Sequence, residues 1–361
     1  MRSSYKHLGE YIEIVTRVNS DLKYGIEDVR GCSNTKKMMQ TRANLIGRTY
    51  EKFIVLKPQE FIFNRRTTRN GERIGMAYND TDREYIFTND YVAFRVRKEC
   101  LSKLLPEYLY LFFCRDEFDR YARYKSTGSA TEFFNWEDMC AVPLEIPEIE
   151  FQKTIVKTYR IINQRIENKR KINNNLEEQA VSFYKIEQKA YGDNEIINGT
   201  ISDIGEFVRG KNITAEKMID GDIPVISAGL QPSGYHNQSN VSGPSITVSG
   251  SGVNAGYVSF HLHDIWAADC SYNNSSKFIH CLYVILKDIQ FQINELQKGT
   301  AQPHVYPKEL NPFEISFPCV NVLERLELRL QKIFALIEEN DKEISVLQQM
   351  QKALLTTLLE R

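Results

Sequence analysis

Apolar residues recur at alternating steps of three and four in the C-terminal part of the chain. Leu323, Leu326, Leu330, Ile333, Ile337, Ile344, Leu347, Leu354 and Leu358 keep this rhythm, interrupted where Asn340 and Gln351 fall in register. The spacing predicts a long helix with an a/d stripe over about five heptads. The same rhythm occurs earlier at Ile155, Tyr159, Ile162, Ile166, Leu176, Ala180 and Phe183, with Lys169 and Asn173 as polar interruptions. Each of these positions lies 171 residues before its counterpart, so the helical register is itself duplicated. A short stripe of this kind packs on its own domain, whereas two long stripes in matched register predict helices that pair with each other. The chain leaves along the first helix and must return along the second, so the pair should be antiparallel. Lys169 and Asn340 are register equivalents near the two helix centres and should meet there, with the Asn carbonyl accepting from the ammonium.

Ahead of each stripe the pattern shortens. Tyr91–Val96 alternates as a half-buried strand should, and residues 106–124 read as a helix with Pro106 in its first turn. In the later half, residues 245–248 and 256–260 read as short strands, and 281–286 as a strand or a helix. Pro-flanked runs at 142–147 and 313–318 close the two halves, and each leads directly into a stripe.

The text repeats along with the pattern. Leu8-Gly9-Glu10-Tyr11-Ile12 returns 196 positions later as Ile204-Gly205-Glu206-Phe207-Val208. Ile74-Gly75 returns as Ala255-Gly256 at an offset of 181, and Leu109-Tyr110-Leu111 as Leu282-Tyr283-Val284 at 173. Gly128 and Ala130 return as Gly299 and Ala301, and Pro147 as Pro318, at 171. The offsets shrink steadily, as expected if the second copy has lost only loop residues. The expected fold is α+β: two repeated mixed α/β globules joined by two long helices that form an antiparallel coiled coil with pseudo-two-fold symmetry. The expected boundaries are a first globule over 1–147, a first helix over 148–190, a second globule over 191–318 and a second helix over 319–361.

Composition narrows the function without naming it. Of 361 residues, 42% are hydrophobic and 26% charged, which is ordinary for a globular protein. The net charge of −1 excludes a simple basic DNA-coating protein, so any nucleic-acid surface must be local. No apolar run approaches the roughly 18 residues of a membrane span, and the start shows no secretory signal. Seven cysteines without a C-x-x-C pair fit a reducing cytoplasm better than a disulfide or metal framework.

The enzyme-like motifs are near misses. Gly205 to Gly210-Lys211 resembles a P-loop, but Asn212 replaces the Mg²⁺-binding Ser/Thr and turn residues follow instead of a helix. Asn311-Pro312-Phe313 approaches the amine-binding loop of amino-methyltransferases but lacks its second proline. His261-x-His263 has no further ligand at metal spacing, so a surface strand is expected there instead. What remains are loops suited to reading polar edges. Asn64, Arg65, Arg66, Arg69 and Arg73 belong to a run of short polar residues and arginines, the side chain that grips phosphate and reads guanine bidentately. The alternative for that run is a solvated hairpin tip. The second copy offers Gln231, Ser233, Tyr235, His236 and Asn237 in one Gly-rich loop, and Ser249, Ser251 and Asn254 in another. Gln302 and His304 follow in the counterpart of residues 130–133.

Taken in order, these segments resemble the specificity (S) subunit of type I restriction–modification systems. The resemblance is carried by Ile223-Pro224-Val225-Ile226, Ser233-Gly234-Tyr235, the run from Ile246 to Gly252, Ala255-Gly256-Tyr257-Val258, Trp266-Ala267-Ala268-Asp269 and Gly299-Thr300-Ala301-Gln302-Pro303. The first copy is similar more loosely, through the run from Phe61 to Arg66, Ile74-Gly75 and Gly128-Ser129-Ala130-Thr131. It departs from the commoner forms in having Asn135-Trp136 after the Gly128 motif and no Ser-Gly-x-x-Gly-Tyr loop. The resemblance covers almost the whole chain and implies a non-catalytic subunit in which each globule, a target recognition domain, reads half of a split site in double-stranded DNA. It implies helices that space the halves and recruit two modification (methyltransferase) subunits and two restriction (translocase–nuclease) subunits. S-adenosylmethionine, ATP and Mg²⁺ would then belong to those partners, with no cofactor or metal in this chain. A stand-alone DNA methyltransferase with fused recognition domains is the competing expectation, and a pure coiled-coil scaffold would leave the polar loops unexplained.

Overall fold

The computed structural model describes residues 6–41, 45, 47–67, 73–128, 132–192, 195–298 and 303–357. The chain divides into two compact units, residues 1–166 with 346–361, and residues 167–345. Both long helices, Ile149–Ala190 and Val320–Thr357, contribute to each unit. No helix among the described residues is long and apolar enough to cross a membrane.

The first unit is organised by an antiparallel sheet in the order Ile12–Val15, Tyr91–Val96, Phe61–Asn64, Met76–Tyr78. Period-two alternation separates its faces. Phe61, Phe63, Phe94 and Val96 enter a core with the helices Pro106–Phe113 and Asp116–Lys125, whereas Ile62 and Ala93 enter a second cluster with Leu56 and Phe87. Residues 106–124 therefore form two helices where the sequence suggested one. Arg115 breaks them: its backbone is extended, its Nε donates to the Phe112 carbonyl at 3.2 Å, and its guanidinium lies over the Phe112 ring. Asp116, Glu117 and Asp119 then occupy the first turn of the new helix, where acidic side chains offset the N-terminal dipole.

The second unit repeats the sheet order with Val208–Arg209, Cys270–Asn273, Ser245–Ser249 and Val258–His261. A three-stranded sheet of Gly234–His236, Ile223–Ile226 and Trp266–Ala267 adjoins it. The ambiguous 281–286 run lies in the helix Ile279–Asp288, all but completely buried on the main core. Apolar on every side and immersed, it had no periodicity to declare its type. The strand expected from Gly256 starts instead at Val258, because Gly256 adopts φ +86° and takes the backbone through a turn. The ladder also shifts the Gly75–Gly256 correspondence by one residue. Asn64 N–H donates to the Gly75 carbonyl, whereas Ser249, the Asn64 equivalent, donates to Tyr257 instead of Gly256.

The stripes behave as apolar seams within each unit. Ile155, Ile162, Ile166 and Leu347 are buried in the first unit, and Ala180, Leu323, Leu326, Leu330 and Ile344 in the second. Off the stripe, Ile161, Ile172, Leu328 and Leu336 are exposed. The pairing is antiparallel in the second unit: Lys169 meets Glu343 at 2.8 Å, while Glu187, later on its helix, meets the earlier Arg329 at 3.2 Å. Lys169 Nζ donates to Asn340 Oδ1 at 2.7 Å, the central meeting expected from the register. Tyr184 and Phe334, both off the stripe, are more buried than their neighbours Phe183 and Ile333, because the helices also pack on the globular core.

Candidate nucleic-acid interface

The two Arg- or Gly-rich loops occupy equivalent places in their sheets. In the first unit, Phe134 N–H donates to the Arg65 carbonyl at 2.9 Å and Thr67 N–H to Glu132 at 3.1 Å. In the second, Val305 N–H donates to Gly250 at 3.1 Å and Gly252 N–H to Pro303 at 2.9 Å. Phe133 exchanges both backbone bonds with Thr127, and His304 does the same with Lys298, each pair 171 positions apart. Arg65-Arg66-Thr67 thus corresponds to Gly250-Ser251-Gly252. Each segment leaves its sheet next to a backbone turn pinned by a distant loop, so these side chains are displayed from a fixed frame.

In the first unit Asn64 ends its strand, and its Oδ1 accepts from Arg66 N–H at 3.0 Å, forming an Asx turn that starts the loop. Arg65 and Arg66 are exposed. Arg66 reaches Asp90 at 3.7 Å and Arg73 reaches Asp116 at 3.3 Å. Exposed pairs of this kind contribute about 0–1 kcal/mol. Arg69 lies outside the described residues. The return of the loop is anchored from below. Ile74 N–H donates to Asp119 Oδ1 at 3.0 Å, and the Ile74 carbonyl accepts from Lys36 Nζ at 2.8 Å. Lys36 and Asp119 form a buried ion pair. Burial pushes the Lys36 ammonium down and the Asp119 carboxyl up from their ordinary ranges. Neither residue stands out in the sequence, because one charged position within a loop and another within a polar helix carry no periodic signal.

In the second unit the structure sorts the candidates. Gln231, Tyr235 and Asn237 are exposed, and Asn254 is half-buried. Ser233 is exposed but its hydroxyl donates to the Val225 carbonyl, closing its own turn. Two expectations are corrected. His236 is buried edge-on against Trp266, with Nδ1 accepting from Ile219 N–H at 3.0 Å, because its strand turns it inward. Ser249 is buried and donates to the Ala228 carbonyl at 3.0 Å. Both hold the loops that carry the exposed residues. Gln302 lies outside the described residues. His304 and Ser251 line an open cleft of about 250 Å³ together with Arg209, Asn212, Asp269 and Tyr306. Arg209, Asp269 and Tyr306 were not legible as site residues, since strand pairing alone brings them to the loop.

The enzyme-like near misses resolve into structural roles. Gly210 lies against the Ala267 and Ala268 carbonyls, where a Cβ would strike backbone, and Lys211 N–H bonds Ala267. Asn311 is consumed by Phe207, accepting from its N–H and donating to its carbonyl, both at 2.9 Å. His261 sits beside Thr247 with its pKa lowered by burial to about 4. Among the described residues no cluster of His, Cys, Asp or Glu could hold a metal ion.

Comparison with known proteins points the same way. The family description "Type I restriction modification DNA specificity domain" matches residues 31–178 and again 195–354. A type I specificity subunit of Mycoplasma genitalium is 24% identical over 230 residues, 57% of this chain and 58% of that protein. The chain thus matches a little over half the length of that relative. A crystal structure of the S subunit of a type I restriction–modification system from M. genitalium is similar over 98% of this chain and 95% of its own. That likeness, with a TM-score of 0.51 at 15% identity, is one of fold.

Proposed function

The chain belongs to the type I restriction modification DNA specificity family, and from that premise we propose that it is the subunit that reads a bipartite target in double-stranded DNA. The proposal divides the chain into recognition domains at 1–147 and 191–318 and spacer helices at 148–190 and 319–361. The observation that carries it is the repeated sheet edge: two loops, held by the same backbone bonds, display Arg65 and Arg66 in one unit and the polar cleft around Ser251 and His304 in the other. Rigid presentation of arginine and polar side chains is what base-edge reading requires, whereas affinity is shared with phosphate contacts. The chain supplies no catalytic group in this reading. Methyl transfer belongs to two modification subunits that use S-adenosylmethionine, and cleavage to two restriction subunits that use ATP and Mg²⁺, in the cytoplasm. Asn311, the residue a stand-alone methyltransferase would need free, is already committed to Phe207.

The test is co-expression with a modification subunit in a host lacking both, followed by single-molecule sequencing for methylated adenine. A new split motif is expected only when both chains are present. The purified chain alone should neither bind S-adenosylmethionine nor methylate duplex DNA. Methyl transfer by the isolated chain, or absence of any new motif with the pair, would overturn the proposal.

A further inference from the structure

Strand register makes Asp90 and Asp269 equivalent. Tyr91 lies opposite Asn64 and Cys270 opposite Ser249, so each aspartate immediately precedes the matching ladder position. Each then pairs with an arginine, but from a different place. In the first unit the arginine is Arg66, on the loop. In the second unit the loop position is Ser251, and the arginine is Arg209, supplied by the edge strand Val208–Arg209. The same carboxylate position therefore lies within ion-pair distance of a guanidinium in both copies, although the arginine has moved between elements.

Around Arg209 the arrangement is built. Asp269 Oδ1 accepts from Arg209 Nη2, and Asp269 Oδ2 accepts from the Ser251 hydroxyl at 2.5 Å, so the carboxylate is held at both oxygens. The guanidinium lies 4.3 Å from the Tyr306 ring centre, and Tyr306 stacks in turn on His304 at 4.8 Å. Gly250 leaves room for the fork, since a Cβ there would strike both Arg209 Nη1 and Asp269. Among the described residues no protein acceptor takes Arg209 Nη1 or Nε, and the side chain keeps about a third of its surface in the open cleft. An arginine fixed by a carboxylate and a ring, with donors left over, has already lost most of the side-chain freedom that binding would otherwise remove.

We infer that Arg209, positioned by Asp269 and Tyr306, reads a guanine in the half-site bound by the second unit. This rests on the DNA-reading function proposed above. Guanine presents two acceptors, O6 and N7, on its major-groove edge, matching a donor fork, whereas adenine places a donor beside N7. A bidentate contact of this kind discriminates by about 5- to 150-fold against a wrong base.

The experiment maps the methylated motif of the full chain with its modification subunit, comparing wild type with Arg209→Ala, Arg209→Lys and Asp269→Asn. The expected result is loss of the guanine requirement at one position of the second half-site, with the first half-site and spacer unchanged. Lys should relax it in part, because its ammonium keeps charge and donors but not the planar fork that Asp269 and Tyr306 position, and it serves where Ala impairs folding. Asp269→Asn should relax the same position by a smaller factor. An unaltered motif, or a uniform loss of affinity with every base requirement intact, would overturn the inference and make Arg209 a structural or phosphate-gripping residue. Failure of the wild-type pair to methylate any split motif would instead indict the proposed function.

Discussion

Removing both partners of the Lys36–Asp119 pair should cost the first unit far less than the two separate removals added together. Their side chains are only 4% and 8% exposed, and together they satisfy the N–H and the carbonyl of Ile74, the residue after Arg73. Burial has moved both pKa values toward the neutral forms, so mutual attraction offsets only part of the desolvation. Asp119→Ala leaves a buried ammonium without its counter-charge, and Lys36→Met leaves a buried carboxylate, each at a cost of about 3–5 kcal/mol. In the double variant no stray charge remains, and the loss reduces to the two Ile74 backbone groups, about 1–3 kcal/mol each when unsatisfied. The single losses, about 6–10 kcal/mol when added, should therefore exceed the double loss of about 2–6 kcal/mol, by about 4 kcal/mol at matching ends of the two ranges. The chain has two tryptophans, and Trp136, packed on Phe94 at 5.7 Å, lies in this unit. Urea unfolding followed by Trp136 fluorescence in a Trp266→Phe background reports the first unit by itself. Losses that add to within about 0.5 kcal/mol would show that the two charges do not act as a pair and would refute the reasoning.

Arg65→Ala and Arg66→Ala should each weaken DNA binding by about 1–3 kcal/mol where the arginine reads a base, measured at fixed salt by fluorescence anisotropy of the complex with its modification subunit; unchanged affinity would leave the loop a solvated tip. Asn340 accepts from Lys169 and donates to Asn173 Oδ1 at 2.7 Å, so Asn340→Ala should cost about 1–3 kcal/mol, and a coupling with Lys169→Ala indistinguishable from zero in urea denaturation would count against a shared polar layer. Glu327 accepts from the His280 ring at 2.7 Å and from Cys281 N–H at 3.0 Å. Burial alone would raise its pKa, but these bonds hold it below its ordinary value of 4.5. Because the folded-state pKa is depressed, its contribution is fully present above the ordinary value and is lost as pH falls from there through the lower folded-state value. Acid unfolding followed by Trp266 fluorescence should therefore become less steep in Glu327→Gln, and an unchanged profile would remove Glu327 from the acid response.

The sequence alone determined the long helices, their matched register and the meeting of Lys169 with Asn340, because a heptad stripe is a local pattern that one helix face must obey wherever it packs. It also determined the duplication and the strand Tyr91–Val96, since alternation is written in neighbouring residues. Tertiary structure alone decided what the polar loops contain. His236 and Ser249 have the same polar character as Tyr235 and Ser251, yet strand alternation and the neighbouring Trp266 and Ala228 turn the first two inward and leave the others at the surface. Arg209, Asp269 and Tyr306 lie far apart in the sequence, and only hydrogen-bond register brings them to Ser251 and His304. The equivalence of Asp90 with Asp269 is likewise invisible to an offset count, because inserted loop residues shift the numbering while the ladder preserves the pairing. Period and propensity act over a few residues, whereas a recognition surface is assembled by contacts whose partners the chain places at any distance.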